Sequence, residues 1–166
     1  MQEHATRLEG FIKRENITHS HFVGHSLGGL VIREFLRTRI DYPLCRVVAL
    51  GTPFNGSRVA RRLGQFDTTR WIIGKNTNSA LTVGVADWPK RHALGVIAGT
   101  RPLGMGRVVS TFGEPNDGTV AVSETKIKGM QAHCCFPTTH TGIVFSRPVA
   151  DRVCVFLMTG DFSTES

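Results

Sequence analysis

FVGHSLGGLVIREFL, residues 22–36, decides the reading of this chain. A serine sits between two glycines, after a short apolar run and before a helix-patterned one. Upstream, Ile17, Phe22 and Val23 belong to a strand-like run. Downstream, Leu27, Leu30, Val31, Phe35 and Leu36 recur at helical spacing. The pentad Gly24-x-Ser26-x-Gly28 is weak as five letters. In a strand–turn–helix setting it reads as a nucleophile elbow, where a serine is held at the tip of a strained turn and projects above the sheet. The expected parts follow from sterics. Gly24 and Gly28 give the adjoining backbone clearance, and Gly29 lets the helix pack closely on the sheet. The unpaired N–H groups at the start of the helix favour negative charge, so the Leu27 N–H is the first candidate donor of an oxyanion hole.

Working outward, the pattern predicts a helix over 3–15, a strand over 18–23, a helix over 27–39 and a strand over 46–50. An irregular stretch with short helices follows over 54–92. A strand over 94–98, a glycine-rich loop over 99–118, a strand-like run over 132–136 and a closing helix over 148–158 complete the order. Val47, Val48, Ala49 and Leu50 form an unbroken apolar run, and Leu94, Val96, Ile97 and Ala98 nearly do. Strands apolar on both faces belong to a parallel sheet covered by helices. The expected fold class is therefore α/β, a mostly parallel sheet with helices on both faces, in a single domain over 1–166 with a small cap or insert over 54–92. In open sheets of this kind, ligands bind beyond the carboxyl ends of the strands. The polar and glycine-rich clusters all follow strands: Ser26 after the first, GTPFNGS after the second, GTRPLGMG and EPNDGT after the third, and PTTHTG with His140 after the fourth.

A serine hydroxyl needs a base to take its proton, and the base needs an acceptor on its other nitrogen. Ser26, Asp117 and His140 occur in the chain order Ser–Asp–His that this fold class uses. Among the histidines, His4, His19, His21 and His25 precede or adjoin the serine. His92 precedes a strand and His133 opens one. His140 alone lies in a loop after the last strand. For the acid, Glu114 and Asp87 compete with Asp117. The latter sits in NDG, where Gly118 permits a tight turn that presents the carboxylate inward, although such a tripeptide also suits a plain surface turn. If Glu114 can substitute for it, Asp117→Asn should be milder than loss of Ser26 or His140.

Charge and cysteine bound the setting. The net charge is +7 and the pI about 9.8, which reads first as a solvated basic surface and alternatively suits an acidic substrate or peripheral contact with anionic lipid. The basic residues are scattered without aromatic interleaving, so no nucleic-acid partner is expected. Cys45, Cys134, Cys135 and Cys154 show neither zinc nor disulfide spacing and read as core thiols, with Cys134 and Cys135 on opposite faces of a strand. No metal site and no cofactor is expected, and a reducing, cytoplasmic setting fits best. No apolar stretch reaches the length of a membrane span, and the first sixteen residues read as an amphipathic helix.

VGHSLGGLV, VVALGTPFNGS, NDGTVAVSET and HTGIVFS together resemble the α/β-hydrolase superfamily, in its lipase and esterase branch, including triacylglycerol lipases and GPI inositol-deacylases. The resemblance runs over residues 11–162. It implies a carboxylic ester hydrolase working on acyl esters or lipids through an acyl-enzyme, with Ser26 as nucleophile, His140 as base, Asp117 as its orienter and the Leu27 N–H as one oxyanion donor. Acyl transfer or thioester hydrolysis would use the same residues. The family places a cap near 54–92, and Phe54, Trp71 and Trp88 are candidate walls of an acyl pocket or, alternatively, the cap's own small core. The family also opens with an earlier strand ending in a His-Gly loop that supplies a second oxyanion donor. No such dipeptide occurs here. The departure predicts weakened activity, or a non-catalytic role as an interaction module. It also predicts a first strand left as a free edge, or paired with a second copy in a homodimer.

Overall fold

The computed structural model describes residues 1–59, 83–102 and 113–163. Its frame is a four-stranded, wholly parallel sheet in the order β1 (Phe22–His25), β2 (Arg46–Leu50), β3 (Ala93–Gly99) and β4 (Ala132–Phe136). Each strand pairs with the next in sequence, with Gly24 opposite Ala49, Ala49 opposite Val96 and Val96 opposite His133. Parallel neighbours need long crossovers, and the helix over Leu27–Thr38 provides the one from β1 to β2. The sheet is the α/β arrangement expected from the apolar strand runs, and it places every strand's carboxyl end on one edge.

Two layers cover it. Helices α1 (Gln2–Arg14) and α2 (Leu27–Thr38) lie on one face. There Ala5, Ile12, Leu30, Ile32, Phe35 and Leu36 pack with Val47, Ala49, Leu94 and Val96. On the other face α3 (Arg147–Thr159) contributes Val149, Val153 and Phe156, at helical spacing, against Val48, Leu50 and Ile97. The strict alternation along β2 and β3 divides their side chains between the two cores. Val47, Val48 and Ala49 are fully buried, and burying a side chain of valine size contributes about 1.5–3 kcal/mol. Helix α3 stops at Gly160, whose φ of 87° gives the left-handed cap that other residues resist.

Most element bounds match the sequence reading to within a residue or two. The first strand does not: it spans Phe22–His25 rather than 18–23. The ladder explains the shift. Pairing with β2 starts at Phe22 opposite Val47 and runs to His25 opposite Leu50, while His19 and His21 instead contact the Leu44 carbonyl and the Arg46 N–H. Among the described residues, strand β1 forms one edge of the sheet, and Val23 on it is 48% exposed.

The thiol reading also needs correction. Cys45 is buried and Cys134 half-buried, but Cys135 and Cys154 are exposed. Cys135 lies on the edge strand β4, and Cys154 follows the buried Val153 on α3, one step off its core-facing stripe. Of the expected cap, residues 60–82 lie outside the described residues. No helix among the described residues is long and apolar enough to cross a membrane.

Candidate active site

The turn from β1 into α2 is built around Ser26. Its φ of 52° and ψ of −120° place a non-glycine residue in a region that costs about 1–3 kcal/mol. The surroundings enforce it: the Ser26 N–H donates to the Leu50 carbonyl at 2.8 Å, so the serine's backbone remains tied to β2 while the chain reverses into the helix. Gly24 is sterically required. A Cβ there would lie 2.7 Å from the Gly29 nitrogen and 2.8 Å from the Gly28 carbonyl carbon. Gly29 is required as well, since a Cβ would meet Thr52 Oγ1 at 2.3 Å. Gly28 departs from expectation. A Cβ built on it meets nothing within 4 Å, so backbone clearance does not explain that glycine. Leu27 is the first residue of α2, and its N–H has no acceptor among the described residues.

From the opposite end of the sheet, the loop after β4 brings His140 over the strand ends. His140 Nε2 lies 3.0 Å from Ser26 Oγ, and Nδ1 lies 2.7 Å from Asp117 Oδ2. With a carboxylate facing Nδ1, that nitrogen carries the proton in neutral imidazole, and Nε2 is left as an acceptor for the serine hydroxyl. The other carboxylate oxygen, Asp117 Oδ1, accepts the N–H groups of Thr119 at 2.9 Å and Val120 at 2.7 Å. The turn anticipated in NDG is formed, with Gly118 at φ 94° and its N–H on Asn116 Oδ1. It points the Asp117 side chain inward to 1% exposure, beside a His140 side chain that is 15% exposed. The three residues thus form one hydrogen-bonded chain, from a buried carboxylate to the hydroxyl of a half-buried serine.

The competing acids are engaged elsewhere. The Glu114 carboxylate accepts from Arg58 and from the Ser123 hydroxyl. Asp87 faces Lys128 at 3.6 Å. Of the other histidines, His92 sits at the amino-terminal edge of the sheet against Cys45, and His133 meets the Thr125 hydroxyl. The residues expected to wall a pocket fare differently. Phe54 and Trp88 are 0% and 1% exposed, packed edge to face at 6.0 Å in the core with α2. They offer no accessible surface to a ligand. Trp71 lies outside the described residues.

Several supporting residues carry no clear signal in the sequence. Gly51, at φ 54°, backs the Asp117–His140 pair, where a Cβ would lie 3.1 Å from Asp117 Oδ2 and 3.3 Å from His140 Nδ1. Glu124, buried, ties the loop after Asp117 to the loop after β2 by accepting from the N–H groups of Ala121 at 2.9 Å and Arg58 at 2.7 Å. His25, which adjoins the serine too closely to act as its base, contacts the His140 carbonyl at 2.9 Å. Its signal is the strand alternation, which sets His25 on the opposite face from Gly24. A groove of about 400 Å³ opens between β1 and α3 beside it, lined by Val23, His25, Leu50, Ile143, Val149 and Val153.

The parallel sheet with helices on both faces is an α/β fold that solved lipase structures share. The solved structures it is similar to include the Bacillus licheniformis lipase BlEst2 in its mature form, with a TM-score of 0.68 at 20% identity over 94% of this chain and 71% of that one. The same lipase in its propeptide form gives a TM-score of 0.67 at 20% identity, over 98% of this chain and 39% of that one. No protein-family model matches the chain, and no curated protein matches it in sequence.

Proposed function

We propose that this protein is a serine carboxylic ester hydrolase of the esterase or lipase type. The observation that carries the reading is the hydrogen-bonded chain Ser26–His140–Asp117 at the carboxyl edge of the sheet, with the serine in a strained turn at the head of a helix. Structural needs alone do not require all three side chains there. The lipase fold of the solved neighbours supports it.

In this reading Ser26 Oγ attacks the ester carbonyl carbon while its proton passes to His140 Nε2. The carbonyl oxygen becomes an oxyanion beside the Leu27 N–H, where the start of α2 favours negative charge. Asp117, still ionised, holds the Nδ1–H and stabilises the imidazolium. His140 then returns the proton to the leaving alkoxide as the carbonyl re-forms, leaving an acyl group on Ser26. Water adds to that acyl-enzyme by the same route in reverse, its proton going to His140 Nε2. Collapse of the second tetrahedral adduct gives that proton back to Ser26 Oγ and releases the acid.

The experiment is hydrolysis of p-nitrophenyl esters of increasing acyl length by the wild type and by Ser26→Ala. The proposal expects measurable turnover by the wild type and none above background by the variant. Equal rates for the two would reject it.

A further inference from the structure

His25 makes a contact that the turn itself does not explain. Along β1 the pleat places Gly24 under α2 and turns His25 toward the α3 face, opposite Leu50. From there its Nε2 reaches the His140 carbonyl oxygen at 2.9 Å, and the two imidazole rings lie 4.8 Å apart, tilted by 46°. An acceptor carbonyl demands a donor, so the proton of neutral His25 is on Nε2.

The consequence for His140 is geometric. Its side chain is held through Nδ1 by Asp117 Oδ2, and its own N–H donates to the Asp117 carbonyl at 2.9 Å. Both of those anchors come from one residue on one side. The carbonyl is the remaining handle on that residue, and His25 is the donor that takes it, from the strand that leads directly into Ser26. His25 therefore links the base's backbone to the nucleophile's own element. We infer that His25 is a positioning residue for His140: its Nε2–H fixes the His140 carbonyl and thereby keeps His140 Nε2 in line with Ser26 Oγ.

This rests on the reading of Ser26 and His140 as nucleophile and base. The electrostatics agree with the geometry. Burial first, and the neighbouring His140 second, hold His25 below the ordinary histidine value, against the opposing pull of its hydrogen bond to the His140 carbonyl and of Asp117. A neutral His25 adds no second positive charge beside His140 when the latter becomes an imidazolium.

The test compares His25→Phe, which fills the space without a donor, with His25→Gln, whose amide N–H stands where Nε2–H stood. Misplacement of a base by a fraction of an ångström to 1 Å costs roughly 10–10²-fold in rate. That loss is expected in kcat for p-nitrophenyl acetate with His25→Phe, with KM little changed, and His25→Gln should recover most of it. Proton NMR supplies a readout independent of turnover. The low-field resonance of the His140 Nδ1–H should broaden or vanish in His25→Phe and persist in His25→Gln. Wild-type kcat and an unchanged resonance in His25→Phe would overturn the inference, as would equal damage in the two variants. A wild type without esterase activity, whose resonance still responds to the two variants as described, would instead reject the proposed function and leave the positioning role standing.

Discussion

Gly99 and Asp117 are packed so closely that a Cβ on Gly99 would lie 2.7 Å from the Cβ of Asp117. The same atom would lie 2.6 Å from the Thr138 carbonyl oxygen, in the loop that carries His140. The end of β3 thus sits directly beneath Asp117 and the loop that carries His140, and only a residue without a side chain leaves room for both. Gly99→Ala is expected to push Asp117 and the 137–140 loop apart. Overpacking of this kind costs about 1–3 kcal/mol, to be read as a lower urea midpoint at unchanged slope, and ester turnover should fall further than stability alone accounts for. Wild-type activity in a fully folded Gly99→Ala protein would contradict this account of the glycine.

Asp117→Asn removes the acceptor that fixes the His140 tautomer. Glu114 offers no substitute, because its carboxylate is committed to Arg58 and Ser123. The milder effect that a substituting Glu114 would allow is therefore not expected, and the loss should be severe: about 10⁴-fold lower kcat, typical of a wrong tautomer in such a site. Single-turnover acylation by a p-nitrophenyl ester measures it. A loss of tenfold or less would mean that another acid serves His140.

Acid should destabilise the fold before the carboxylates titrate. His21, His25, His92 and His133 all lie below the ordinary value of 6.5, each chiefly because burial opposes the charged form. The unfolded chain then binds more protons than the native one as pH falls below about 6.5, so stability drops from that point toward the depressed native values. Thermal midpoints measured between pH 7.5 and pH 5.5 are expected to fall. A midpoint that is level or rising over that interval would contradict the reading of these histidines as neutral in the folded protein.

The sheet was legible because its two central strands, β2 and β3, are buried on both faces. An unbroken apolar run as short as 47–50, followed at once by a glycine and a proline, suits a doubly covered strand far better than a helix. The glycine and polar clusters then mark the carboxyl edge. The serine and histidine could be read from chain order and from their loops, and Asp117 from its turn. The register of β1 was not legible. Thr18 and Ile17 suit a strand as well as Gly24 does, and only pairing with β2 selects 22–25. The roles of Gly51 and Gly99 were hidden by distance in the chain: each meets residues far along it, so no local pattern reports the contact. Phe54 and Trp88 illustrate the converse. An aromatic in a connection between strands suits a ligand wall and a core equally well in sequence, and here packing beneath α2 decides for the core.

The central claim is that Ser26 is activated by His140. A fluorophosphonate probe tests it most directly, because it requires an activated serine and no knowledge of the natural ester. Mass spectrometry of the labelled wild type should place the adduct on the peptide bearing Ser26. Ser26→Ala should take up no label, and His140→Ala should label orders of magnitude more slowly while remaining folded. Undiminished labelling of Ser26→Ala, or an adduct on a different serine, would contradict the account.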